Sequence, residues 1–347
     1  MLTRERSAPT SALSRQADST PISFMVLLDP PHLADMLFGP ELAALTATGA
    51  VALNPAPFAD LTSDTARAAL ANVEVLVTGW GAPQLTPEQL DAAPCLRYVL
   101  HAGGQAAHFL PPTLRRDIQL SNAGWINAIP VAEFTFAMII LANKQAFSIR
   151  NLYRERRDFV HREVEFPKAG NRGKVIGIVG ASRIGRIVME RLGDIEVSVK
   201  LFDPYVDPAE AKRLGAELVS LDELMASSDI VSLHPPLNAA TQGMITARHL
   251  SLMRGGATLI NTSRGMIVDQ DALVGELSSG RINAILDVTH PEVLPPDHPL
   301  YDLPNVFLTP HISGSMGPEI GRMGAHIASE LSRIVHGQPL AFPEIVP

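Results

Sequence analysis

One stretch limits the fold more than any other: Val175-Ile-Gly-Ile-Val-Gly180-Ala-Ser-Arg-Ile-Gly185-Arg-Ile-Val-Met189. An apolar run of buried-strand length enters a glycine turn and leaves it in a helical pattern. A strand that feeds a helix at once is the repeating unit of a doubly wound parallel sheet. The first N–H groups of such a helix are unpaired and sit at the positive end of its dipole, so they suit a pyrophosphate. The usual spacing is G-x-G-x-x-G, and here it reads Gly180, Ser182, Gly185. Serine stands where the backbone normally needs glycine to approach the phosphates, so we expect its hydroxyl to contact the pyrophosphate or a bridging water. About 20 residues further on, where this motif places its acid, the next apolar run ends at Leu201-Phe202-Asp203. A carboxylate there would accept hydrogen bonds from ribose hydroxyls and repel a 2′-phosphate, which favours NAD over NADP. Asp203 can also be read as a turn residue before Pro204, and the glycine turn alone as an ordinary strand-to-helix connection.

The alternation extends in both directions. Before the turn come Ser23–Leu28, Ala50–Leu53, Val73–Val77, Arg97–Leu100 and Ile118–Leu120; from it onward come six candidate strands, Val175–Val179, Val197–Phe202, Asp229–Leu233, Ala257–Ile260, Ala284–Leu286 and Val306–Leu308. Helical segments separate most of them. A chain of 347 residues divides into two domains at about 150 residues each. The expected fold is therefore α/β, with two doubly wound parallel-sheet domains and a cleft between them. Ala128–Arg157 contains no glycine and one proline, Pro130, near its start, and reads as a single long helix. Its first half, Val131–Ala142, is apolar nearly all round, so a domain junction or a second copy of the chain is expected to cover it. Gly321–His336 reads as a final helix.

Composition narrows the partners. A net charge of −8 and the lack of a basic run argue against a nucleic-acid groove. The longest largely apolar stretch, Phe134–Ala142, falls short of the roughly 20 residues that span a bilayer, so no membrane segment is expected. The single cysteine, Cys95, fits a reducing compartment, reads as a core residue and leads us to expect a cytoplasmic chain. No metal is expected: His290, Glu292, His298 and His311 show no paired ligand spacing. Residues 1–21, rich in Ser, Thr, Ala and Arg, read as a flexible tail.

In an open parallel sheet, ligands lie beyond the carboxyl ends of the strands. Three runs end in chemistry: Ala257–Ile260 leads to Asn261-Thr-Ser-Arg264-Gly265, Ala284–Leu286 to Asp287-Val-Thr-His-Pro-Glu292, and Val306–Leu308 to Thr309-Pro-His311. Hydride transfer to a 2-oxo acid needs a proton donor for the carbonyl oxygen, a cation for the carboxylate and a group that keeps the donor charged. His311 suits the first task, Arg264 the second through its planar fork, and Glu292 the third as a carboxylate bonded to imidazole. Singly, each has a plainer reading, as a surface cation, a solvated acid and a buried histidine. Their joint placement at strand ends favours the chemistry.

With these residues in view, the chain resembles the D-isomer-specific 2-hydroxyacid dehydrogenase family, which includes glyoxylate/hydroxypyruvate reductases and phosphoglycerate dehydrogenases. The resemblance is carried by Leu96–Gly104, Val131-Ala-Glu133, the Gly180 turn, His234-Pro-Pro-Leu237, Asn261-Thr-Ser-Arg-Gly265 with Val268-Asp269, Leu286-Asp-Val288 and Leu303-Pro-Asn-Val-Phe-Leu-Thr-Pro-His311. It implies a Rossmann NAD domain, residues 127–314 with the linking helix 128–157, inserted into a flavodoxin-like substrate domain formed by 22–126 and 315–347. It implies catalytic roles for Arg264, Glu292 and His311. By the same resemblance Gly180, Arg183, Ile184, Gly185, Asp203, His234, Thr262 and Asp287 line the NAD site, with Ser182, Pro235 and Ser263 beside them. Gly103 and Gly104 would offer N–H groups to the substrate carboxylate, or mark only a tight turn. A small D-2-hydroxy acid or its 2-oxo acid is the implied substrate, and a homodimer the implied assembly. The alternative is an NAD-responsive binding module of the kind that serves transcriptional regulation on the same fold. Three departures stand out: Ser182 for glycine, Val293 where proline commonly follows the glutamate, and Ser313-Gly314-Ser315 after the histidine. The chain ends at Pro347, short of the regulatory domain many phosphoglycerate dehydrogenases carry, which argues against that enzyme.

Overall fold

The computed structural model describes residues 21–104 and 117–344. The expected tail thus lies, but for Pro21, outside the described residues. The chain divides into two compact units, Met1–Asn127 with Met316–Pro347, and Ala128–Ser315.

In the first unit, β1 (Ser23–Leu27), β2 (Val51–Ala52), β3 (Val75–Gly79), β4 (Tyr98–Ala102) and β5 (Gln119–Asn122) form one sheet in the order β2-β1-β3-β4-β5. Every pairing is parallel. This is the 2-1-3-4-5 order of flavodoxin-like folds. Because side chains alternate across a strand, Phe24, Val26, Val75, Val77 and Leu100 face one core with Met323, Ile327 and Leu331 of the helix Ile320–Val335. Met25, Leu27, Leu76, Val99 and Leu120 face a second core with Leu70 and Leu90. Both faces are covered, which explains why these strands read as continuous apolar runs and not as alternating ones.

In the second unit, β6 (Lys174–Val179), β7 (Val197–Phe202), β8 (Ala216–Leu218), β9 (Ile230–Leu233), β10 (Thr258–Asn261), β11 (Asn283–Leu286) and β12 (Val306–Leu308) form a sheet in the order β12-β11-β10-β9-β6-β7-β8. All its pairings are parallel too. The strand order reverses between β6 and β9, so their carboxyl ends flank the switch point where such folds place a ligand. Val179, Val231, Leu233, Leu259 and Leu286 pack on one face, and Ile176, Ile178, Leu201, Ile260 and Ile285 on the other.

Four expectations need correction. The strand β8 was not anticipated: it is a three-residue edge strand with Glu217 exposed, too short and too polar to register as an apolar run. The long helix is two helices, Gly124–Asn143 and Ala146–Arg156, with Gln145 at φ 53° between them. The break is fixed from a distance, since the Gly170 N–H takes the Asn143 carbonyl at 2.7 Å and the Asn143 amide donates to Asn171 Oδ1 at 3.1 Å. The first helix also begins before Ala128, which puts Pro130 inside it and extends it to 20 residues, with a mean hydropathy of 1.7 over its most apolar 18. That length and composition would suffice to cross a bilayer, but the core helix of a globular protein passes the same test. Its apolar circumference is partly accounted for within the second unit, where Ala132, Met138 and Ile139 pack with the sheet. Finally, Cys95 is exposed. It sits in the turn before β4, where its neighbours Ala93 and Leu96 take the buried positions.

Candidate active site

The carboxyl ends of β6, β7 and β9 meet around Gly180. This residue has φ 95°, and a Cβ on it would stand 2.9 Å from the Pro235 nitrogen, so the loop after β9 packs directly on the turn. A Cβ on Gly185 would stand 2.2 Å from the Gly180 carbonyl oxygen, so the helix Arg183–Leu192 starts as close to the strand as backbone permits. Ser182 is the N-cap of that helix, and its Oγ accepts the Gly185 N–H at 3.3 Å. The hydroxyl thus has a use that the sequence reading did not foresee, while its proton remains free to donate to an anion. Asp203 has the turn role of its plainer sequence reading and a second that the sequence did not announce: Oδ1 accepts the Tyr205 N–H at 2.8 Å, pinning its own turn, and Oδ2 accepts the Ala181 N–H at 2.8 Å, pinning the glycine turn. Arg183 and Ile184 open the helix. His234 is buried, with Nε2 bonded to Ser232 Oγ at 2.9 Å and Nδ1 without a partner among the described residues. Burial pushes its pKa down to about 3, so the ring is neutral.

These residues fit a dinucleotide. A helix N-terminus suited to a pyrophosphate stands at the switch point, a carboxylate lies at the end of the next strand, and the buried His234 ring leaves Nδ1 without a partner among the described residues. Ser182→Ala separates the two uses of the hydroxyl. Loss of the cap is expected to lower unfolding stability by about 1 kcal/mol in chemical denaturation. Loss of a hydrogen bond to phosphate would weaken NADH binding about fivefold by fluorescence titration. Unchanged affinity would leave the serine as a cap alone.

The β10 end carries Thr262, Ser263 and Arg264. Thr262 is buried and shares a 2.9 Å hydrogen bond with Thr135 of the helix Gly124–Asn143. Asn261 folds the loop on itself: Oδ1 accepts from the Ser263 N–H and hydroxyl at 3.1 and 2.8 Å, and its amide donates to the Arg264 carbonyl at 3.0 Å. The exposed Arg264 guanidinium donates to the Ser263 carbonyl at 2.6 Å. No hydrogen bond or ion pair joins it to Glu292 or His311 among the described residues. A Cβ on Gly265 would fall 2.2 Å from the Thr289 carbonyl, which sets the Arg264 loop hard against the loop after β11.

The β11 and β12 ends bring Glu292 and His311 together, Oε1 to Nδ1 at 2.6 Å, although 19 residues separate them in sequence. His311 has φ 55°, a left-handed conformation that costs a non-glycine residue roughly 1–2 kcal/mol. Its surroundings hold it there. The His311 N–H donates to the Asp287 carbonyl at 2.9 Å. The buried Asp287 carboxylate accepts from Thr309 Oγ1 at 2.7 Å, the Ile312 N–H at 2.8 Å and the Ser313 N–H at 2.9 Å. Asp287, expected along the cofactor, is therefore also the anchor of the His311 loop. Sequence reasoning missed this role and that of Thr309, although both residues lie in motifs it had singled out.

Gly103 and Gly104 belong to the first unit, just beyond β4. A Cβ on Gly103 would stand 2.2 Å from Nε2 of the buried His101, so the loop rests on that ring. His101 Nδ1 pairs with Thr78 Oγ1 at 3.0 Å. No group of three or more His, Cys, Asp or Glu side chains among the described residues could hold a metal ion.

Comparison with known proteins bears on this geometry. Residues 136–313 match the family described as D-isomer specific 2-hydroxyacid dehydrogenase, NAD binding domain. A D-3-phosphoglycerate dehydrogenase of Mycobacterium bovis is 34% identical over 257 residues, covering 72% of this chain and 47% of that one. The chain thus spans about half the length of the phosphoglycerate dehydrogenases it matches first. A glyoxylate reductase of Korarchaeum cryptofilum is 34% identical over 254 residues, covering 72% of this chain and 76% of that one. Among solved structures, the TT0316 protein of Thermus thermophilus is 26% identical, covers 93% of this chain and 100% of that one, and superposes with a TM-score of 0.73. With a family match that takes in the Gly180 turn and the loops of Arg264, Glu292 and His311, this chain belongs to the D-isomer specific 2-hydroxyacid dehydrogenase family.

Proposed function

We propose that the chain is an NAD-dependent oxidoreductase that interconverts a small D-2-hydroxy acid and its 2-oxo acid. The observation that carries this reading is the 2.6 Å hydrogen bond from His311 Nδ1 to Glu292 Oε1 at the carboxyl rim of the NAD-type sheet. Bound NADH supplies the hydride. His311, with Nδ1 engaged, presents Nε2 to the carbonyl oxygen and delivers the proton that the new hydroxyl needs; in the reverse direction the same nitrogen removes it. Glu292, through its hydrogen bond to Nδ1, orients the ring and fixes which nitrogen faces the substrate. Arg264 leaves its bond to the Ser263 carbonyl and pairs with the substrate carboxylate through its fork. Asp203, the Ser182 hydroxyl and the first turn of Arg183–Leu192 hold the cofactor's adenosine ribose and pyrophosphate, and the carboxylate at Asp203 favours NAD over NADP.

The test is NADH oxidation, followed by absorbance, with glyoxylate, hydroxypyruvate, pyruvate and bulkier 2-oxo acids. Turnover of at least one of them, faster with NADH than with NADPH, is the expected result. If none is reduced while NADH still binds, the site belongs to an NAD-responsive binding module instead.

A further inference from the structure

The Glu292–His311 pair is exposed, with side-chain accessibilities of 67% and 40%. A side-chain contact open to water is weak and does not hold two side chains in one geometry unaided. The backbone beneath each partner must do so. Under His311 that support is the Asp287 carboxylate. Under Glu292 it is a contact that no sequence motif announces: Gln270 Nε2 donates to the His290 carbonyl at 2.7 Å, and Gln270 Oε1 accepts the His290 N–H at 2.9 Å. The amide grips both polar groups of one residue, 20 positions away in sequence and two before Glu292.

Its own footing is firm. Gln270 is the first residue of the helix Gln270–Ser278, whose N-cap Asp269 accepts the Ala272 N–H at 3.0 Å, while the Asp269 N–H donates to the Ile245 carbonyl at 2.9 Å. Between His290 and Glu292 the loop is closed by Thr289, whose hydroxyl lies 2.9 Å from the Pro291 carbonyl and 3.0 Å from that of Glu292. On its other side lies Gly265, where a Cβ would meet the His290 nitrogen at 2.7 Å. The Glu292 loop is thus clamped between the helix start and the Arg264 loop.

We propose that Gln270 is a positioning residue: through its double hydrogen bond to His290 it sets the Glu292 carboxylate against His311 for proton delivery. This rests on the reading of His311 and Glu292 given above. The Gln270 side chain is spent on the His290 backbone, so its effect is expected on the proton-transfer step and not on ground-state binding. Gln270→Glu keeps the acceptor for the His290 N–H and loses the donor; Gln270→Ala loses both.

The full-length chain and both variants would be compared by steady-state kinetics with the best 2-oxo acid of the panel, by NADH titration and by hydrogen exchange of peptides covering residues 288–294. A misplaced catalytic group costs up to about 100-fold. The expected result is a graded fall in kcat, about 10-fold or more for Gln270→Ala and less for Gln270→Glu, with KM and NADH affinity held and exchange near His290 accelerated in the same order. Wild-type kcat in Gln270→Ala, or a loss confined to KM or to NADH affinity, would overturn the proposal. So would unchanged exchange near His290. A wild-type chain that turns over no 2-oxo acid would instead overturn the functional reading, and proton delivery by this route with it, while exchange would still report whether Gln270 holds the loop.

Discussion

Replacing His311 by alanine is expected to lower kcat for 2-oxo acid reduction about 10³-fold, within the range for removal of a general acid, while NADH affinity stays at the wild-type value. The asymmetry follows from where the ring sits. Nδ1 is engaged by Glu292 at 2.6 Å, which leaves Nε2 as the nitrogen that can reach a substrate oxygen. The residues fitted to the cofactor's ribose and pyrophosphate, Asp203 and the turn at Gly180, are tied to Ala181, Tyr205 and Pro235 and not to His311. Alanine is poorly suited to φ 55°, so some loss of stability accompanies the change. His311→Asn controls for this, because asparagine tolerates the left-handed conformation but cannot carry a proton near neutral pH. Both variants should lose turnover alike in stopped or continuous NADH assays. Preserved turnover with lost NADH affinity would move His311 from the substrate to the cofactor.

The features legible in the sequence are those with a short period or a fixed local offset. Val175–Val179 and Val197–Phe202 read as buried strands because both faces of the sheet are covered, and the Gly180, Gly185 and Asp203 positions follow from where a helix must start and the next strand must end. His311, Glu292 and Arg264 stood out because parallel strands put their last residues on one rim. What the sequence hid depends on partners far along the chain. The helix break after Asn143 requires Gly170 and Asn171, and neither changes the local pattern around Lys144. Ser182 looked like a ligand contact because its spacing was compared with a glycine, yet its hydroxyl oxygen is taken by a helix N–H three residues on. Gln270 carries no local signal at all, since nothing in its neighbourhood announces a backbone 20 residues away. Asp287 was visible, but which neighbours would occupy its oxygens was not.

That last point carries the other large effect. Asp287→Ala removes a buried carboxylate that accepts three hydrogen bonds from the segment Thr309–Ser313. A hydrogen bond to a charged acceptor contributes about 1.5–3 kcal/mol, but the three share one acceptor and are not additive, and water can reach the half-buried Thr309 and Ile312. The Ser313 N–H is buried and has no such recourse. A loss of about 3 kcal/mol in denaturant unfolding is therefore expected for Asp287→Ala. Thr309→Val removes one donor and leaves the carboxylate with two, so about 1 kcal/mol is expected there. Asp287→Asn falls between them, since its carbonyl can still serve Thr309 and Ile312 while its amide meets the Ser313 N–H donor to donor. Turnover should follow stability in rank, because the same three bonds hold His311 in its left-handed conformation. A different pattern would identify a different role. If Asp287→Asn weakens NADH binding while leaving stability and kcat untouched, the carboxylate faces the cofactor as its family position suggests, and the His311 loop stands without it.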